Sequence, residues 1–135
     1  MPAQTIWMIR LSLVYLLIAV LLGGLIITHK SIELHPMIWS LLPVHFELAI
    51  WGWLVQFVMG TAYWMLPRKL VGKRRGPTTP AWAMVVLFNF GLILLVVGPF
   101  LSSLPLFSMI GRLCIGLSIL LFALLIWSRV TTYRK

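Results

Sequence analysis

The chain has 135 residues, of which 61% are hydrophobic and 10% are charged, and its mean hydropathy is +1.06. A water-soluble domain of this length does not bury so much apolar surface, so the composition excludes a soluble globular protein and indicates an integral membrane protein. Eleven Lys and Arg against two Asp and Glu give a net charge of +9. In a membrane chain such an excess reports orientation and contact with membrane lipid, and we expect no nucleic-acid partner.

Four apolar runs follow one another along the chain, and each reaches the roughly 20 residues that a helix needs to cross about 30 Å of hydrocarbon. They cover residues 6–28, 38–66, 81–100 and 104–127. Pro36 and Pro43 mark an interfacial turn or the first turn of the second helix. The segment SSLP at 102–105 predicts a tight turn between the last two runs. The sequence therefore predicts one all-α domain, an integral membrane four-helix transmembrane bundle.

The basic residues predict how this bundle is oriented. If the spans are threaded in order, one side has only Lys30 in its loops, and the other side has Arg10, Arg68, Lys69, Lys73, Arg74, Arg75, Arg129, Arg134 and Lys135. By the positive-inside rule, both termini and the central loop are cytoplasmic. We therefore expect a multi-pass protein of the inner (cytoplasmic) membrane, with all three histidines near the outer face.

The second span carries polar and small residues that a purely lipid-facing helix has little use for. Near its outer end lies His45, and the positions that follow it at helical spacing are Ala49, Gly52, Gln56 and Gly60. Such a stripe of small residues allows close approach of a flat body, either a neighbouring helix or the face of a porphyrin. Trp51 and Trp53 flank the stripe. A helix-packing face capped by an interfacial histidine explains the same pattern.

The segment HFELAIWGWLVQFVMGTAYWMLPR resembles the second transmembrane helix of the catalytic subunit of the haem-copper oxidase superfamily, and its closing residues are most similar to the nitric oxide reductase branch. In that family a histidine at the outer end of this helix ligates the low-spin haem, and His45 matches it. The resemblance implies a noncovalently bound haem b with His45 as an axial iron ligand. The stripe then places Ala49, Gly52 and Trp53 beside the haem.

Several features of the family are missing from this chain. The second ligand of the low-spin haem lies on a much later helix in the family, beyond four spans. The chain has three histidines in all, so it also lacks the histidine ligands of the copper and the high-spin haem. Its one cysteine, Cys114, excludes a covalent c-type haem attachment. We therefore expect no reduction of oxygen or nitric oxide by this chain alone, and we assign no catalytic residue.

The missing iron ligand has several candidate sources. A second copy of the chain can supply its own histidine across a two-fold axis, which predicts a homodimer. His29 and His35 lie at a similar height on the outer side and are further candidate ligands. Arg112 in the fourth span lies near the depth of His45, where it binds a haem propionate, pairs with Glu47 or extends to the outer head groups.

We accordingly predict a membrane-bound b-type haem protein that carries single electrons, with quinol or a respiratory complex as its partner. Two alternatives remain open. One is a haem-free accessory subunit of a larger respiratory complex. The other is a haem-based gas or redox sensor, which needs an open position on the iron.

Overall fold

The computed structural model describes residues 1–66, 77–101 and 105–130. Four long helices, numbered here first to fourth, fill these ranges: Ala3–Ser31, Pro36–Met65, Thr78–Leu101 and Leu106–Val130. Each helix is long and apolar enough to cross a membrane, and the prediction of four such helices is confirmed. The predicted turn at 102–105 and the basic loop at 68–80 lie largely outside the described residues, as do Arg134 and Lys135.

The first helix is longer than its apolar run because polar residues continue it at both ends. It begins directly after Pro2, whose extended backbone precedes the first turn. It ends at Ser31, where the extended Ile32 still donates its backbone N–H to the carbonyl of Thr28. Hydropathy alone therefore predicts only the apolar centre of the helix. Backbone hydrogen bonds extend the helix into the polar turns on both sides.

The second helix changes its hydrogen-bonding pattern along its length. It consists of a 3₁₀ turn, a short α-helical segment, a π-helical segment and a final α-helical segment, over Pro36–Leu41, Leu42–Glu47, Leu48–Val55 and Gln56–Met65. Pro36 and Pro43 each lie in the first turn of a segment, as predicted, where the missing N–H costs no bond within the helix. The π-helical segment is an uncommon feature that is frequent at functional sites.

The first and second helices form an antiparallel hairpin that depends on small residues. A Cβ atom at Gly52 would lie 2.9 Å from Cβ of Tyr15, and one at Gly60 would lie 2.9 Å from Cβ of Met8. Real Cβ atoms do not approach so closely, so glycine is required for this packing. The residues that lie early in the first helix therefore meet those that lie late in the second.

The third and fourth helices form a second antiparallel hairpin with even closer backbones. A Cβ atom at Gly91 would lie 2.7 Å from the carbonyl oxygen of Gly111, and one at Gly111 would lie 2.7 Å from that of Gly91. Two turns further along the third helix, a Cβ atom at Gly98 would lie 2.7 Å from Cβ of Phe107. Deeper in the helix pair, the Ser118 hydroxyl donates to the carbonyl of Met84, 2.7 Å away.

The two hairpins pack on each other through a shared apolar core and through polar pairs. Among the described side chains, three such pairs lie at three depths: Arg112 with Glu47, Tyr15 with Asn89, and Arg129 with Tyr63. The Tyr15 hydroxyl donates to Oδ1 of Asn89 at 2.9 Å. Arg129 is fully buried, donates to the Tyr63 carbonyl at 2.9 Å and lies 4.2 Å above the Tyr63 ring. One basic residue assigned to the cytoplasmic surface is thus part of the packing between helices.

These contacts define the two ends of the bundle. Because each hairpin is antiparallel and the polar pairs join residues at matching depths, Ala3 and Val130 lie at the same end, which we call the terminal end. Ser31 and Leu106 lie at the opposite end, which we call the histidine end because it carries His29, His35 and His45.

Candidate functional site

His45 lies near the histidine end, on the side of the second helix that faces the first helix. Its Nδ1 atom is 2.8 Å from the backbone carbonyl oxygen of Ala19. A carbonyl oxygen only accepts hydrogen bonds, so Nδ1 carries the proton, and Nε2 of the neutral ring keeps its lone pair. A metal-ligating histidine commonly has this arrangement, in which one ring nitrogen donates to the backbone and the other is free for the metal.

Gly23 provides the space in which the His45 ring lies. A Cβ atom at this position would be 2.8 Å from Cε1 and 3.3 Å from Nδ1 of the ring. A Cβ atom placed on the neighbouring Gly24 would meet no other heavy atom within 4 Å. Sequence reasoning did not assign Ala19 or Gly23 to the site. The available signal was the Gly-Gly pair near the end of an otherwise apolar helix.

His29 and His35 have the opposite arrangement of ring nitrogens. Nδ1 of His29 accepts backbone N–H groups from Leu34 at 3.0 Å and from His35 at 3.4 Å. Nδ1 of His35 accepts the N–H of Met37 at 3.2 Å. An Nδ1 atom that accepts has no proton, so each neutral ring carries its proton on Nε2. In this conformation neither ring offers a free lone pair to a metal.

The stripe of small residues on the second helix is covered by the first helix. Gly52 is buried between Tyr15 and Leu92, and the fully buried Gln56 donates from Nε2 to the carbonyl of Met8 at 3.3 Å. The stripe could contact either a neighbouring helix or the face of a porphyrin. In the structure it contacts a neighbouring helix. Ala49 is half-buried and packs against the same core. Within one chain, Gly52 and Ala49 therefore contact protein, and their position beside a haem stays a prediction.

Aromatic side chains next to His45 remain exposed on the second helix. Phe46 is 52% exposed, and its ring centroid lies 5.5 Å from that of His45. Further along the second helix, Trp53 and Phe57 are each 37% exposed. We call these three exposed side chains the aromatic side of the second helix, and Phe46 is the member that adjoins the histidine.

Arg112 pairs with Glu47 on another side of the second helix. Its Nη2 atom lies 3.1 Å from Oε1 of Glu47, and the two side chains are 64% and 18% exposed. Glu47 is two residues from His45, so the carboxylate and the imidazole point in nearly opposite directions from the helix axis. The structure thus contains the ion pair, one of the roles considered for Arg112, on a different side of the helix from the His45 ring.

The described residues contain no group of three or more His, Cys, Asp or Glu side chains that could hold a metal ion. A haem iron needs fewer protein ligands than a bare metal ion. One imidazole on each side of the haem completes a six-coordinate site. No family model matches the chain, and no match was found among curated proteins or solved structures. The similarity of the second helix to the haem-copper oxidases therefore stays a resemblance of sequence.

Proposed function

We propose that this chain is a membrane-bound b-type haem protein that carries single electrons, with Nε2 of His45 as an axial ligand of the iron. The observation that supports this most directly is the hydrogen bond from Nδ1 of His45 to the Ala19 carbonyl. It fixes the ring in the tautomer that binds a metal and fixes its orientation. Of the three histidines, His45 alone has this arrangement.

We infer that the four helices cross the cytoplasmic membrane with the terminal end on the cytoplasmic side. Arg10 and Arg129 lie in the turns near the terminal end, and the basic segment 68–75 connects two helices that meet there. The histidine end has Lys30 in its connection. The positive-inside rule then places His45 near the outer face, where a carrier exchanges electrons with an outer partner.

The second iron ligand in this proposal comes from another copy of the chain. His29 and His35 hold their protons on Nε2 and use Nδ1 to close the connection between the first two helices. A two-fold axis beside the exposed aromatic side of the second helix would bring two copies of His45 to one haem. Phe46 and Trp53 would then contact the haem faces and exclude water.

When bound, the haem supplies the one-electron chemistry, and the chain supplies position and environment. The Ala19 carbonyl orients the ligand, Gly23 makes room for it, and the aromatic side chains keep the surroundings apolar. Burial of this kind is one of the means by which proteins set a haem potential. The proposed electron donor is a quinol or a respiratory complex, since both are available within the membrane.

An absorption spectrum of the detergent-purified protein, oxidised and reduced, tests the proposal. We expect the sharp reduced bands of a low-spin b haem, their loss in His45→Ala, and their retention in His35→Ala. One haem for every two chains would support ligation across a dimer, and one haem per chain would contradict it. Nitrogen-15 NMR of the haem-free protein should show the proton of His45 on Nδ1 and those of His29 and His35 on Nε2.

One observation favours a second function, a haem-free accessory subunit of a respiratory complex. The small-residue stripe is filled by a helix, as that hypothesis predicts. A colourless protein, expressed with ample haem, would support this alternative and overturn the haem proposal. A coloured protein whose reduced form binds carbon monoxide would instead support a gas sensor, because such binding needs an open iron position.

A further inference from the structure

A cavity of about 340 Å³ lies at the histidine end, outside the proposed haem site. It is formed where the first helix ends and the second begins, and it is lined by His29, Lys30, Glu33, His35, Pro36 and Trp39. This volume lies within the usual range of small-molecule sites. The lining combines both signs of charge, two imidazoles and an indole, which is an unusual concentration of polar groups for this apolar chain.

The two histidines line the cavity as hydrogen-bond donors. His29 is 4% exposed and its Nδ1 accepts two backbone N–H groups, so its remaining polar atom is a protonated Nε2. Nδ1 of His35 is occupied by the Met37 N–H in the same way. The Lys30 ammonium and these two rings thus give the cavity three donor groups, which suit an oxyanion. A metal ion would need lone pairs that these rings do not offer.

Glu33 favours a positively charged group on the ligand. Its carboxylate only accepts hydrogen bonds, and its negative charge repels a simple anion. A ligand that satisfies the whole lining therefore carries an oxyanion for Lys30 and the imidazoles, and a primary ammonium for Glu33. The chemistry of the cavity thus favours a zwitterion with two unlike charged groups close together.

The surroundings of the cavity favour a lipid as the source of this zwitterion. Large apolar side chains beside it are exposed, among them Ile27 at 70%, Ile32 at 65% and Met37 at 69%. Trp39 is 47% exposed and contacts the edge of the His29 ring, with ring centroids 5.6 Å apart. Tryptophan at the end of a spanning helix typically lies at the level of lipid head groups.

We propose that this cavity binds the phosphoethanolamine head group of a membrane lipid. The phosphate oxygens accept from Lys30, His29 and His35, the ammonium pairs with Glu33, and the acyl chains lie along the exposed apolar side chains of the first helix. The proposal depends on insertion of the helices in a membrane, and it is independent of haem binding.

Native mass spectrometry of the full chain, released from nanodiscs of equal parts phosphatidylethanolamine and phosphatidylglycerol, tests this. We expect retained phosphatidylethanolamine to exceed phosphatidylglycerol by about 2- to 5-fold, which corresponds to one exposed ion pair. Glu33→Gln should bring the ratio to about one, and Lys30→Gln should reduce retention of both lipids. Arg10→Gln, a charge change at the terminal end, is the matched control and should leave both unchanged.

Two outcomes would overturn the proposal. One is a wild-type ratio near one, or a ratio that Glu33→Gln leaves unaltered, because the ammonium would then have no partner in the cavity. The other is displacement of the lipid by an equal concentration of soluble glycerophosphoethanolamine, which would show a site for a soluble zwitterion. Circular dichroism of each variant verifies that the helices are retained.

Discussion

The substitution Gly23→Ala is the most direct test of the contact between His45 and the first helix. The added Cβ atom would lie 2.8 Å from Cε1 of the ring, whereas unstrained carbon atoms lie at least about 3.5 Å apart. The ring therefore has to withdraw by about 0.7 Å from the first helix. A movement of this size lengthens the 2.8 Å bond from Nδ1 to the Ala19 carbonyl beyond hydrogen-bond range.

The expected effect on stability is small, and the expected effect on haem affinity is large. Losing the hydrogen bond costs about 1 kcal/mol, while replacing glycine by alanine inside a helix returns up to about 1 kcal/mol. These terms nearly cancel in the free energy of unfolding. Loss of the group that orients a metal ligand, in contrast, typically weakens metal binding about 10- to 100-fold.

Haem titration of the purified variants, followed by absorption spectroscopy, measures this difference. Gly24→Ala is the matched control, because no heavy atom lies within 4 Å of its added Cβ, and it should bind haem as the wild type does. Thermal unfolding of the haem-free proteins verifies that both variants fold. Equal haem affinities for Gly23→Ala and Gly24→Ala would refute the assigned role of the Ala19 hydrogen bond.

Three further predictions follow from the packing and from the polar pairs. Gly91→Ala should destabilise the protein in detergent by about 1–3 kcal/mol, since its Cβ would lie 2.7 Å from a backbone carbonyl. Gly116→Ala, whose Cβ meets no atom within 4 Å, should keep the wild-type stability or raise it by up to about 1 kcal/mol. Tyr15→Phe should reduce the free energy of unfolding by about 0.5–2 kcal/mol, and an unchanged value would show that its bond to Asn89 adds no stability. Arg112→Ala should leave the haem midpoint potential nearly unchanged, because the arginine pairs with a carboxylate on another side of the helix, and a large decrease would place a propionate beside it.

The four helices were predictable because each needs only a long apolar run and a polar end. The contact of Gly23 with His45 was not, because it depends on how far one helix is displaced along the other and on how each is rotated. Helical periodicity gives the residues that share a face, and it does not give the residue opposite them. For the same reason, the sequence predicted that the stripe on the second helix allows close approach. It did not predict whether a helix or a porphyrin lies against it.

Arg129 and the π-helical segment show two further limits. A basic residue near the end of an apolar run is typical of a cytoplasmic boundary, yet Arg129 is buried against Tyr63, which lies 66 positions away in the sequence. Residues 48–55 have no local feature that favours a π-helix over an α-helix, and nothing in their composition distinguishes the two. The identity of His45 as the ligand candidate came from the sequence, and its tautomer came from the structure.

The division of the bundle into two hairpins has a consequence for assembly. Within each hairpin, glycines allow backbones to touch, whereas between hairpins polar pairs at three depths select the partner and its register. If the helices lie in hydrocarbon, each such pair disfavours a misaligned neighbour by about 1 kcal/mol, because an unmatched polar group has no water to bind. Two separately expressed fragments, divided between the second and third helices, should therefore find each other in the membrane and restore the intact bundle.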